Sequence, residues 1–272
     1  MSWTALRITP DANRDGVIAA LFASGSQGVL EDGPSIVTHF PPEAALDDIR
    51  DGVLRADPRA TVVVTSAPGA DYSQWRASVS SHKVGNLTLS PPWLASELDP
   101  ATTVVIDPAM AFGTGEHPTT RSVVLLMQSV IRGGDVVADL GAGSAVLSIA
   151  AAKLGASRVA AIELDHDAIE NAEENVRVNG VEDRVQVIEG DASTLLPLLA
   201  PVRVILANII SSVLITMLPV MRESLSPGGQ AILSGILCEE SEEITSALAS
   251  DGWAVERETA EDVWWTVQIA PR

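Results

Sequence analysis

Between residues 135 and 236 five short, nearly continuous apolar runs alternate with helical patterns, and this alternation constrains the fold more than any other feature. The runs are "DVVADLG" (135–141), "RVAAIEL" (158–164), "VQVIEGD" (185–191), "RVILANI" (203–209) and "GQAILSGI" (229–236). Helical stretches such as "SAVLSIAAAKLG" and "DAIENAEENVRVNG" lie between them. A strand apolar on both faces needs cover on both, and a helical crossover between strands makes them parallel. The expectation is an α/β, Rossmann-like sheet. The chain's end breaks the rhythm: "GWAVERETAEDVWWTVQIAP" holds two strand-like runs too close together for a crossover. A terminal antiparallel hairpin follows, bringing the sheet to seven strands.

The first 68 residues have a different order. Strand patterns at "WTALRIT", "GVLEDG", "SIVTHF" and "TVVVTSAP" are interleaved with helical patterns at "ANRDGVIAALFASG" and "PEAALDDIRDGVLRADP". The order βαββαβ is that of a small, ferredoxin-like α+β domain. Residues 69–100 carry proline punctuation and read as a linker with an extended segment. The division expected is therefore a small domain over 1–68, a linker over 69–100 and the large α/β domain over 101–272.

Composition narrows the functional classes. No apolar run approaches the roughly 18 residues of a membrane span, and the N-terminus lacks the basic and apolar regions of a signal peptide. A single cysteine, Cys238, excludes an internal disulfide framework and favours a reducing compartment. The reading is cytoplasmic. A formal charge of −19 repels phosphate backbones, so no direct nucleic-acid contact is expected. The same charge suits a basic protein partner, and base composition or salt adaptation would also produce it.

The turn "ADLGAGSAVLS" places Gly141 and Gly143 where the first sheet strand gives way to a helix, the position at which open α/β sheets bind ligands. Val146 stands where a dinucleotide fingerprint needs its third glycine, and no lysine follows to make a phosphate-binding loop. An acid at the end of the next strand, Glu163, can accept both hydroxyls of a ribose. Asp191 ends the third strand, where a purine edge would lie, and Asn208 ends the fourth. Taken singly, Asp191 also suits a helix N-cap, as Asp165 does, and Asn208 also suits a turn. Together they describe a site for a nucleoside without phosphates, and S-adenosylmethionine fits that description.

"VVIDPAMAFGTGEHPTT", "DLGAGSAVLSIAAAKLGA", "LANII" and "LSGIL" resemble, in order and spacing, the motifs of the ribosomal protein L11 methyltransferases, the PrmA family. The resemblance covers residues 70–270 and extends more loosely to the small domain. It implies a seven-stranded methyltransferase sheet, with the small domain recognising the protein substrate. It also implies that Thr120, Gly141, Glu163 and Asn208 contact S-adenosylmethionine. Phe112, Thr114 and Gly115 would lie in a loop covering it, and Asp139 and Gly143 in the turn that holds its methionine part. Two departures stand in the site. Ala145 replaces the turn's usual third glycine, and Glu163 replaces the usual aspartate with one more methylene.

The chemistry implied is protein N-methylation, at lysine or α-amino groups of a ribosomal protein. The alternative is the same fold acting on another protein lysine or on a small-molecule amine. A binding module without catalysis and a nicotinamide oxidoreductase are the readings from other classes; Asn208 and Val146 weigh against them respectively. Methyl transfer needs the amine, methyl and sulfur held in a row, and Asn208 is the candidate catalytic residue, its carbonyl aiming the amine. His117 in "HPTT" is expected to cap a helix rather than move a proton. Val123, Val124, Met127 and Ile131 form the apolar face of that helix. No metal site is expected, since the histidines are scattered and Cys238, expected to be partly buried, is alone.

Overall fold

The computed structural model describes residues 4–26, 29–40, 44–66, 79–107 and 117–272. The chain divides into two compact units, Met1–Ser78 and Val79–Arg272.

In the first unit the elements run β1 (Thr4–Thr9), α1 (Arg14–Ala23), β2 (Val29–Asp32), β3 (Ser35–Phe40), α2 (Leu46–Ala56) and β4 (Thr61–Ser66). The sheet order is β2-β3-β1-β4, antiparallel throughout. Alternate residues of the strands, Leu6, Ile8 and Ile36, meet Val17 and Leu21 of α1 and Ile49 and Val53 of α2 in one core. Asp57, just past α2, is buried and accepts the backbone N–H groups of Asp11 and Ala12 at 2.8 Å and of Asn13 at 3.0 Å. Those bonds, that from Ala12 foremost, hold its carboxyl down to about 2. One side chain thus fastens the entry of α1 to the exit of α2.

The second unit carries the parallel sheet: β8 (Val136–Leu140), β9 (Arg158–Glu163), β10 (Val185–Glu189), β11 (Val202–Asn208) and β12 (Leu225–Leu237). The terminal hairpin is β13 (Trp253–Glu261) and β14 (Trp264–Pro271). The strand order is β10-β9-β8-β11-β12-β14-β13, with β8 to β12 parallel and β14 antiparallel to both its neighbours. Order reverses between β8 and β11, so the crevice for a ligand lies at their carboxyl ends.

Both faces are covered, as the apolar strands require. On one face Val137, Val159, Val204 and Leu206 pack with α3 (Pro118–Val130), α4 (Val146–Lys153) and α5 (His166–Val178). Val123, Val124, Met127 and Ile131 all lie in that core. On the other, Ala138, Leu140, Ile205 and Ala207 meet α6 (Ala192–Leu199), α7 (Ser211–Ser224) and α8 (Ser241–Ser250). Trp265 joins this second core, while Trp264, one residue earlier, faces the opposite side and meets the His117 ring edge-on at 5.0 Å.

Within the segment read from sequence as a linker lie β5 (His82–Val84) and β6 (Leu87–Ser90), which form a small sheet with β7 (Thr103–Val105), from the start of the expected large domain. Val84, Leu87, Leu89 and Val104 share a core with α3 and α4. Gln128 of α3 fixes the β5–β6 turn, donating to the Val84 carbonyl at 2.9 Å and accepting from the Asn86 N–H at 2.7 Å. Cys238, just past β12, is exposed rather than partly buried. Among the described residues no helix is long and apolar enough to cross a membrane.

Candidate functional site

Four neighbouring strands, β10, β9, β8 and β11, deliver Asp191, Glu163, the glycine turn and Asn208 to one end of the sheet. The turn after β8 needs three departures from ordinary backbone: Gly141, Gly143 and Ala145 all have positive φ, at 71°, 53° and 63°. Ala145 accepts this left-handed geometry with its methyl fully buried, at a cost of roughly 1 kcal/mol that a glycine would avoid. Its strain is local, and α4 starts from it regardless.

Gly141 is required by its neighbour as well as by its φ. A Cβ there would come within 2.5 Å of Ile209 Cγ2. Gly235 of β12 is in the same position on the far side: a Cβ would fall 2.5 Å from the Ile209 carbonyl oxygen, and its φ is +80°. Two glycines therefore clamp the residue that follows Asn208. The motif "LSGIL" does not by itself assign Gly235 this task. An isolated glycine between apolar strand residues was the available signal.

Asp139 of β8 is fully buried. Its Oδ2 accepts the Ser148 hydroxyl at 2.7 Å, and its Oδ1 has no partner. Burial pushes the carboxyl up to about 7, against the two Ser148 hydrogen bonds that favour the charged form. Thr120 Oγ1 and Asn208 Oδ1 are likewise buried without a partner. Unsatisfied buried polar atoms are costly and rare in native proteins, so each of the three calls for a partner.

Both oxygens of Glu163 accept backbone hydrogen bonds. Its Oε2 accepts the Gly143 N–H at 2.7 Å, and its Oε1 accepts the N–H groups of Leu164 at 2.8 Å and Asp165 at 2.9 Å. The carboxylate thereby ties β9 to the glycine turn of β8. Asp191 caps α6 through the Ser193 N–H at 2.8 Å, and its bonds to Ser193, the hydroxyl first, lower its pKa. Asp165 caps α5 in the same manner. His117 caps α3, as its place before Pro118 predicts, and its ring nitrogen Nδ1 lies 2.7 Å from the Thr119 hydroxyl. Burial first, then Arg121, pushes the imidazole below its ordinary value, while Glu261 opposes the change.

A second residue missed from sequence is Asn175 of α5, which is 1% exposed. It donates to the Ser144 carbonyl of the glycine turn at 3.1 Å and accepts the Asp107 N–H at 3.0 Å. One turn on, Asn179 pairs with both backbone groups of Val105, at 2.9 and 2.6 Å. Asparagines four apart on one helix therefore hold the chain from Val105 to Asp107. Phe112, Thr114 and Gly115 lie outside the described residues. Among the described residues no group of three or more His, Cys, Asp or Glu side chains could hold a metal ion.

The donor set fits S-adenosylmethionine. Asp139 Oδ1, Thr120 Oγ1 and Asn208 Oδ1 are buried polar atoms without a partner, the kind of group that the ammonium and hydroxyls of such a molecule would satisfy. A family model described as ribosomal protein L11 methyltransferase (PrmA) matches residues 42–271. The chain is 40% identical over 203 residues to the ribosomal protein L11 methyltransferase of Halalkalibacterium halodurans, covering 72% of this chain and 62% of that protein. It is 33% identical over 253 residues to the Lacticaseibacillus paracasei protein of the same name, covering 86% and 78%. Against the crystal structure of a ribosomal protein L11 methylase from Lactobacillus delbrueckii subsp. bulgaricus the TM-score is 0.63 at 28% identity, covering 71% of this chain and all of that one. The match thus spans less than two thirds of the Halalkalibacterium relative's length.

Proposed function

Since this chain belongs to the ribosomal protein L11 methyltransferase family, we propose that it methylates lysine or α-amino groups of a basic protein, ribosomal protein L11, using S-adenosylmethionine. The observation that carries the proposal is the trio of buried, unpartnered acceptors: Asp139 Oδ1, Thr120 Oγ1 and Asn208 Oδ1. When bound, S-adenosylmethionine supplies a methyl on a positively charged sulfur, which a neutral amine displaces in line.

This chain's residues bind and orient. Asp139 and the Gly141–Gly143 turn hold the methionine part, the ionised carboxylate matching an ammonium. Glu163 takes the ribose hydroxyls and Asp191 lies by the purine. Thr120 is a polar contact. Asn208 presents its amide oxygen to the acceptor amine, drawing on an N–H so that the nitrogen lone pair faces the methyl. Exclusion of water from the crevice keeps the amine neutral.

Residues 1–68 act as the substrate-recognition domain, and the charge of −19 attracts a basic protein while repelling nucleic acid and anionic membrane surfaces. The enzyme then works in the cytoplasm, where ribosomal proteins are made. A second reading, another protein lysine or a small amine as acceptor, draws on one observation: the family match begins at residue 42, inside the first unit. Incubation of the purified protein with methyl-labelled S-adenosylmethionine and purified ribosomal protein L11, read by mass spectrometry, separates the two. Label on the ribosomal protein is the expected result. Label only on other proteins of a whole-cell extract, or on none, refutes the substrate assignment.

A further inference from the structure

Asn208 can serve an amine only if its amide is held one way round. An asparagine side chain presents an acceptor on one side and two donors on the other, and a half-turn about its last bond exchanges them. The structure holds Asn208 at a single point: its Nδ2 donates to Thr119 Oγ1 at 3.2 Å. What Thr119 does with its own proton therefore decides which end of the amide faces the crevice.

That proton is already committed. Thr119 Oγ1 lies 2.7 Å from His117 Nδ1, and the Thr119 backbone N–H points at the same nitrogen from 3.4 Å. A backbone N–H can only donate, so Nδ1 is the acceptor nitrogen of a neutral imidazole. The hydroxyl consequently donates to His117 and keeps only lone pairs for Asn208. An amide oxygen turned towards those lone pairs would be repelled, whereas the NH2 group is bonded. The oxygen is left buried and unpartnered on the other side. Burial and Arg121 keep His117 neutral by pushing its pKa down, with Glu261 opposing, and the edge-on Trp264 ring holds the imidazole in place.

We propose that Thr119 is a positioning residue for methyl transfer: its hydroxyl, held between His117 and Asn208, fixes the Asn208 amide with its oxygen free for the acceptor amine. The proposal rests on the reading of Asn208 as the residue that aims the amine. Thr119 itself is 1% exposed and its task is separate from that of Thr120, whose hydroxyl has no partner.

The test compares Thr119→Val, which keeps the shape and removes the hydroxyl, with Thr119→Ser, which keeps the hydroxyl. Thr119→Val should lower kcat roughly tenfold or more, the loss of one well-placed hydrogen bond in the transition state. S-adenosylhomocysteine affinity, measured by calorimetry, should move far less. Thr119→Ser should recover kcat to within about threefold. In the cycle with Asn208→Ala, the double variant should be no slower than Asn208→Ala alone, because both changes remove one function. Additive losses, or a Thr119→Val enzyme as fast as wild type, overturn the proposal.

A second readout needs no activity. In the unliganded wild type and in Thr119→Ser, one Asn208 side-chain N–H should be protected from exchange with water by NMR. In Thr119→Val that protection should disappear. If wild type transfers no methyl to any protein, the functional reading fails; the NMR comparison still decides the orientation, and protection retained in Thr119→Val overturns it.

Discussion

Asp139→Asn should stabilise the unliganded protein at alkaline pH, although it removes a charge from the binding crevice. Asp139 has no exposed surface, one hydroxyl partner in Ser148 and one oxygen with none. Its carboxyl is pushed from an ordinary 3.8 to about 7, burial being the chief cause. Every tenfold change in proton affinity between folded and unfolded chain is worth about 1.4 kcal/mol. Ionising this buried carboxyl therefore costs about 4 kcal/mol of folding stability once the solution is well above pH 7.

The sign follows from proton counting. Between 3.8 and about 7 the unfolded chain has released this proton while the folded chain keeps it. The folded state binds more protons there, so stability falls as pH rises through that window. At pH 5 less than half of the penalty is present; at pH 8.5 nearly all of it is. An asparagine keeps an oxygen for the Ser148 hydroxyl and has no charge to desolvate. The stability difference between Asp139→Asn and wild type should thus move in the variant's favour by about 2–3 kcal/mol between pH 5 and pH 8.5. Urea unfolding followed by tryptophan fluorescence at the two pH values measures it. S-adenosylhomocysteine should narrow the difference at pH 8.5, because on the proposed reading its ammonium supplies a counter-charge to Asp139, and a variant that binds it roughly tenfold more weakly gains about 1.4 kcal/mol less stabilisation at saturation. A variant-to-wild-type difference that is the same at both pH values would refute the claim that this carboxylate is desolvated.

Three further outcomes are expected. Gly235→Ala should destabilise by at least about 2 kcal/mol and depress activity disproportionately, because its Cβ meets the backbone that carries Asn208; thermal unfolding and kcat measure the two effects. Asn175→Ala should cost about 1–3 kcal/mol, since the Ser144 carbonyl and the Asp107 N–H lose their partner together, and hydrogen exchange should rise at Asp107. Asp57→Asn should remove an acid-dependent contribution to the first unit: the wild-type advantage, full above the ordinary 3.8, should fade as pH falls towards about 2, read by circular dichroism during acid titration.

The large sheet was legible because its strands are buried on both faces and leave an uninterrupted apolar signature. "VVADL" sends Val137 to one core and Ala138 and Leu140 to the other, and no polar residue but Asp139 breaks the run. The small sheet of β5, β6 and β7 was illegible for the opposite reason. "HKV", "LTLS" and "TVV" are too short to show a period of two, and prolines between them read as linker punctuation. β12 begins at Leu225, four residues before the apolar run at 229, because Gly228 at φ +73° lets the strand pass through an irregularity in its pairing with β11. In the crevice, residues at strand ends could be found by counting along the chain. Asn175, Gly235 and Ser148 could not, since each acts on a neighbour distant in sequence. A faint sign existed for Asn175: an amide on the face that α5 otherwise gives to Ala172 and Val176.

Glu163 joins these two kinds of legibility. Its position at a strand end reads as that of a ribose acceptor, and its extra methylene as a departure that moves the sugar. In the folded chain the carboxylate spans two tasks, with Oε1 on the start of the β9–α5 connection and Oε2 on the Gly143 N–H. A carboxylate has about four lone-pair directions, and three are taken. A sugar hydroxyl on the proposed reading must use the fourth or displace the Gly143 N–H. The glutamate reaches Gly143 across 2.7 Å while keeping both bonds at Leu164 and Asp165. The longer acid therefore braces the glycine turn before any ligand arrives. That brace matters here because Ala145 closes the same turn in a left-handed conformation that favours glycine, and the turn needs an external hold to keep it. Glu163 and Ala145 thus act on one turn, the first bracing what the second strains.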